Sequence, residues 1–343
     1  MRNLLFLFVV LLLSACKGGS DKEVYQSSRD NIINVKSLIK EINLDDLLIG
    51  SISEPYCMGD FLVIGDYKST DKMIHLFDGK SYEYLTSFGK FGQGPDEITI
   101  LGSMAWNKMM NEIYVTDHGK LQIFGFHMDS IMNNADYTPF VKTKLNASSF
   151  PNDYTYINDS LSYGTFISVT SPSTFTQSAG TWNMKTGEIK LLEYNHPDVD
   201  KKRISLAVSM ENQRYAECNA RCDLISIFDL KGNLIRNIYG PEWGTGSEIF
   251  HFSHCLFVRD YLIALYDGNE YAKHTQPTQC HLFTKEGDYV KTLETDYQIL
   301  RFCYDENNNR LIFCFNDEIQ YGYLDLSEII DGKNAANVNI RAR

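Results

Sequence analysis

The chain has 343 residues, 43% of them hydrophobic, and a formal charge of -12. That composition is globular, and the absence of a basic block to neutralise phosphates excludes a nucleic-acid binder. Its length is enough for one large hydrophobic core or two ordinary ones.

In chain order, the first element is an export signal. Arg2 precedes the apolar run Leu4 to Leu13, and "LSAC" ends at Cys16. A basic start, a short apolar stretch and small residues before a cleavage point describe a secretory leader. The apolar run is about half of the ~20 residues a bilayer span needs. "LSAC" resembles the lipobox of bacterial lipoproteins, with Leu13, Ser14 and Ala15 matching the approach to the cleavage site. The resemblance implies that residues 1–15 are removed and that Cys16 carries diacylglycerol and an acyl chain. Several acyl chains hold a protein on a membrane where one would not, each buried methylene contributing about 0.8 kcal/mol. Residues 16–30, polar and poor in apolar side chains, are expected to form a flexible tether.

Six apolar segments follow, each ending on a turn-forming polar residue: "FLVIGD" at Asp66, "EIYVTD" at Asp117, "TFISVT" at Thr170, "RYAECN" at Asn219, "LIALYD" at Asp267 and "LIFCFN" at Asn316. Their ends are 51, 53, 49, 48 and 49 residues apart. Each is β-branched or aromatic and bounded by turn residues, the profile of a buried strand. A second strand follows each one, and in several units a hairpin turn such as Lys-Gly-Asn leads to a third. Units of about 50 residues with three or four antiparallel strands are what propeller blades require. A pair of β-sandwiches would not keep one period along the chain, and an open solenoid has shorter repeats. The expected fold is all-β: a six-bladed β-propeller over residues 31–330, with a C-terminal tail at 331–343. The last unit lacks an obvious outer strand. The segment Ile33 to Ile42 is expected to supply it, with the more polar "ANVNIRAR" at the C-terminus as the competitor.

Between the first and second units lies "SFGKFGQGPDEI", whose glycines suggest a phosphate loop. Such a loop needs a Lys-Ser/Thr pair and a helix N-terminus. Here Pro95, acids and a strand follow instead. A degenerate echo, "IYGPEWGTGSEI", follows the fourth unit. Gly89, Gly92, Gly94, Pro95 and Glu97 are therefore read as a structural connector between blades.

The lipobox, the repeat and the "FGKFGQGPDE" connector together resemble the TolB-like six-bladed propeller lipoproteins of Bacteroidetes-type bacteria. The resemblance implies an outer-membrane, lipid-anchored protein, periplasmic or surface-facing, with no established catalytic residue and no cofactor beyond the lipid on Cys16. The implied role is a binding or protein-interaction module with an envelope protein or glycan as partner. A propeller enzyme acting on glycans or peptides, hydrolase or lyase, is the alternative.

The candidate ligand-binding face gathers the aligned turn residues Asp66, Asp117, Asp267 and Asn316. Tyr271 and His274 stand in the long turn Asp267 to Cys280, and "SPSTFTQSAG", Ser171 to Gly180, is a second long loop. The competing reading is that Asp and Asn merely shape these turns. Three acids on one rim suit a neutral polyhydroxyl or cationic ligand, with the connector aromatics Phe91 and Trp243 on the opposite face as the fallback. His251, His254 and Cys255 do not converge as metal ligands, because alternate residues of a strand face opposite ways. Neither G-x-S-x-G nor H-E-x-x-H occurs. Setting Cys16 aside leaves seven cysteines, an odd number unlike a disulfide framework, although Cys218 and Cys222 could bridge a tight hairpin.

Overall fold

The computed structural model describes residues 22–330 apart from positions 45, 46, 135, 201, 247, 274 and 328. Among the described residues six sheets follow one another along the chain, one per repeat, the four strands of each blade antiparallel. The six aligned segments are the second strands of the six blades: Phe61–Asp66, Glu112–Asp117, Leu161–Ser171, Arg214–Asn219, Tyr261–Glu270 and Arg310–Phe315. Inside them run the inner strands Ser53–Met58, Leu101–Asn107, Ser149–Asn158, Ile204–Ser209, Ile249–Val258 and Ile299–Asp305.

The reason these strands read as unbroken apolar runs is visible in the first blade. Leu62 and Ile64 pack against the sixth blade, with Ile312 and Cys314. Val63, between them in sequence, packs against Met104 and Val115 of the second. A strand's side chains alternate between faces, and here both faces meet a neighbouring blade. Among the described residues the buried apolar side chains form six clusters, one at each blade interface.

The ring is closed from the N-terminal side, as the sequence suggested. Lys40–Glu41 pairs antiparallel with Tyr321–Asp325 and is the fourth strand of the last blade. Gly322 admits this strand closely, since a Cβ there would lie 2.9 Å from the Ile39 side chain. Residues 331–343 lie outside the described residues.

The expected tether is shorter than its composition implied. Glu23–Tyr25 runs parallel to Leu234–Tyr239 as a fifth strand of blade 4, and Ile32–Asn34 does the same beside Tyr289–Glu294 of blade 5. The propeller thus begins ahead of residue 31. This strap is polar and orders itself on edges that other residues supply. Tyr25 stacks on Tyr239 at 4.4 Å. Arg29 reaches Asp223 at 2.7 Å, with side chains only 4% and 0% exposed. Val35 is fully buried between blades 5 and 6. The expectations for Cys16 and for residues 1–15 lie outside the described residues.

Candidate functional site

The connector after blade 1 is a loop organised by one carboxylate. Glu97 accepts a hydrogen bond from the Gly94 amide at 2.7 Å, and a Cβ on Gly92 would lie 2.0 Å from a Glu97 oxygen. Gly89 has φ +71°, a conformation glycine adopts without strain. The chain bends after Pro95 and enters the strand Leu101–Asn107. No helix begins there to receive a phosphate.

The aligned acids are spent on hydrogen bonds within the protein. Asp117 is fully buried and accepts from the amides of Thr99, Ile100 and Gly119 at 2.9–3.0 Å, with Lys120 at 3.3 Å. Asp66 is 3% exposed and accepts from Gly50 and Lys68. Asp267 accepts from the Asn269 and Thr275 side chains. Asn316 is exposed, and its amide donates to the Gln298 carbonyl. These residues share a face, yet they form no charged rim, because turn carboxylates gain more from nearby N–H groups than from solvent.

The same contacts correct a second expectation. The Asp117 turn holds the connector, and the Glu242 amide donates to Asp223 of the corresponding turn in blade 4. The connector aromatics Phe91 and Trp243 therefore lie on the same face as the aspartates. The two long loops also differ from expectation: the first is a hairpin in which Val169 pairs with Phe175, and in the second the strand Tyr261–Glu270 runs on through Asp267, with Asn269 and Glu270 pairing Phe250 and Ile249 of the inner strand. Arginines cap their aromatics, with Arg203 4.5 Å from the Phe175 ring centre and Arg221 4.1 Å from that of Tyr271. Trp243, Arg203 and Arg221 line a cavity of about 880 Å³. His274 lies outside the described residues. Cys218 faces Cys255 of blade 5, and its cross-strand partner is Ile225 rather than Cys222.

A second cavity, of about 630 Å³, is the mouth of the central channel. Inner strands bring four charged or titratable side chains to it: Glu54 from blade 1, Asp153 from blade 3, His254 from blade 5 and Arg301 from blade 6. Arg301 Nε lies 3.4 Å from Glu54 Oε1. The Tyr56 and Tyr67 hydroxyls donate to Glu54 Oε2 at 2.9 and 2.8 Å. Asp153 is exposed to the solvent of the lumen; desolvation by the channel wall around it, together with the Glu54 carboxylate, pushes its pKa up to about 6 against the pull of Arg301. Burial and the Arg301 charge push His254 down to about 4, so its imidazole is neutral at pH 7. Ser103 Oγ, His118 Nδ1 and Ser253 Oγ, also at the mouth, have no hydrogen-bond partner within the protein.

Among the described residues no three of His, Cys, Asp and Glu come together as a metal site. No described helix is long and apolar enough to cross a membrane. Residues 20–165 match a family model described as a 6-bladed beta-propeller. No curated protein matches the sequence.

Solved structures share the architecture. A calcium-binding protein, regucalcin, from Agrobacterium tumefaciens aligns with a TM-score of 0.55 at 10% identity, over 86% of this chain and 95% of its own. A gluconolactonase from Xanthomonas campestris aligns at 0.51 and 15% identity, over 79% and 85%. A putative exported protein from Bacteroides fragilis aligns at 0.54 and 11% identity, over 85% and 87%. At these identities the likeness is one of fold.

Proposed function

We propose that this chain is a lipoprotein of the TolB-like, Bacteroidetes type, anchored on the outer membrane through Cys16, whose propeller binds a neutral polyhydroxyl ligand at the channel mouth. The observation that carries the ligand class is the pairing of opposite charges there, Arg301 beside Glu54 with Asp153 in the same cavity. An anionic ligand would meet two carboxylates and a cationic one the guanidinium. Hydroxyl groups both donate and accept, so they use all three. The volume lies within the roughly 300–1,000 Å³ of small-ligand sites.

Isothermal titration against a panel of neutral sugars and their uronic acids tests this reading. Binding of a neutral sugar, weakened at least tenfold by Glu54→Gln and by Arg301→Gln, is expected. Binding confined to the uronic acids, or none across the panel, would overturn it. The anchor has its own test: Cys16→Ser should take up no labelled fatty acid and leave the detergent phase.

Asp153 favours a second reading. A carboxyl with pKa near 6 beside another carboxyl is suited to general acid–base work on a bound glycan. Asp153→Asn would then abolish turnover of glycosides of the bound sugar while leaving binding within a few fold. If no glycoside is cleaved, the binding reading stands alone.

A further inference from the structure

Cys57 and Cys303 stand on the inner strands of the first and last blades, whose meeting is the seam where the two ends of the repeat array join. Their sulfurs are 3.0 Å apart, closer than the ~3.5–4.0 Å of ordinary carbon contacts and about 1 Å beyond a disulfide bond. We propose that these two thiols are a disulfide site: oxidised, they staple the seam from the channel side, opposite the backbone pairing of Lys40–Glu41 on the outside.

The other thiols are placed differently. Cys280 is sealed among apolar side chains of the interface between blades 5 and 6. Cys218 and Cys255 neighbour one another at the next interface but are 0% and 2% exposed, and Cys255 accepts a hydrogen bond from Ser205. Cys314 is buried and hydrogen-bonds with Ser53. Cys222 is half-buried in the turn between the second and third strands of blade 4. Cys57 and Cys303 are half-buried and line the lower channel, a cavity of about 350 Å³ that admits a small oxidant. They combine access with a partner already in place.

The reaction is thiol–disulfide exchange with an external disulfide. The thiolate of one cysteine attacks the reagent, forming a mixed disulfide and expelling one reagent thiolate. The second cysteine, deprotonated, attacks the protein sulfur of that mixed disulfide and expels the other. Two protein thiols lose two protons and two electrons, and the reagent disulfide becomes two thiols. The hydrogen bond to Cys303, and then burial, hold the Cys57 thiol well above its ordinary range, so the exchange accelerates with alkaline pH.

The full chain is reduced, freed of reductant, and incubated with oxidised glutathione at mildly alkaline pH. It is then unfolded in an alkylating reagent and digested. A peptide pair joined through Cys57 and Cys303 is expected in the oxidised sample and not in the reduced one. Unfolding in denaturant is expected to slow at least about tenfold on oxidation, since the bond closes most of the chain into one loop. Cys222→Ser should keep both effects, and Cys57→Ser should lose both; Cys303→Ala repeats the loss if the serine variant does not fold. Recovery of both peptides in alkylated form, a glutathione adduct without the cross-link, or a cross-link that leaves the unfolding rate unchanged would each overturn the proposal.

Discussion

Replacing Arg29 by Met removes a guanidinium from inside the fold while keeping most of the stem that carries it. The wild-type group lies between the rings of Phe252 and Phe283, 5.7 and 5.1 Å from their centres, and a methionine fills much of that slot. What is lost is the 2.7 Å ion pair to Asp223 and the 2.9 Å hydrogen bond to Gln26. Asp223 then remains fully buried with the Glu242 amide, at 3.2 Å, as a surviving donor. Breaking one side of a buried pair typically costs about 3–5 kcal/mol. The surviving donor places the expectation at the low end, about 3 kcal/mol, or roughly 100-fold in an opening equilibrium. Hydrogen exchange reads this locally, because the strap's docking is reported by the amides of Gln26, Thr292 and Val35, which donate to Tyr239, Asn31 and Glu294. These amides should exchange about 100-fold faster in Arg29→Met. Adding Asp223→Asn should restore part of the protection, since no uncompensated charge is then left buried. Unchanged exchange at Gln26 and Val35, with a melting temperature equal to wild type, would refute the view that this pair fastens the strap.

Deleting residues 22–43 strips the outer strand from the last blade and uncovers the site of Val35; calorimetry should show a broadened or absent transition, and a sharp one within a few degrees of wild type would contradict the closure. Asp117→Ala leaves four amides without their acceptor and should cost at least about 3 kcal/mol in urea unfolding. Asp117→Asn keeps one oxygen and should cost clearly less, so equal losses would show that the hydrogen bonds are not the cause. For Asp153 the folded pKa, about 6, lies above the ordinary 3.8, so folding favours the protonated acid. Its contribution is fully present below about pH 4 and is lost as pH rises through about 6. Asp153→Asn should therefore match wild type at pH 4 and melt higher than wild type at pH 7; a difference independent of pH would sink the assignment.

The architecture was legible because the second strands bury both faces. That forces runs such as "FLVIGD", in which Leu62 and Val63 serve different interfaces and neither can be polar. The closing strand was legible too, as a stretch ahead of the first blade that is less polar than its C-terminal competitor. The site was not. Glu54, Asp153, His254 and Arg301 are single residues on four separate inner strands, and no local spacing marks them as companions. Asp66 and Asp117 misled for the opposite reason. A turn carboxylate and a ligand-binding carboxylate look alike in sequence, and only the neighbouring amides tell them apart. The polar composition around Ser27 and Ser28 predicted freedom, since a segment's own apolar content says nothing of an edge waiting elsewhere in the chain.

The strap has a consequence for how one molecule meets another. Its three pieces find their partners far downstream, at residues 234–239, 289–294 and 321–325, so a chain emerging from its N-terminus carries them undocked until nearly all of it exists. Until the strap docks, the completed last blade has three strands, and Tyr321–Asp325 is an open edge to which Lys40–Glu41 of another copy could pair. High concentration should then favour two chains exchanging straps, each sealing the other's ring with pairing identical to that of the monomer. Such a domain-swapped dimer needs no new interface, and dilution of the unfolded chain before refolding favours the closed single ring.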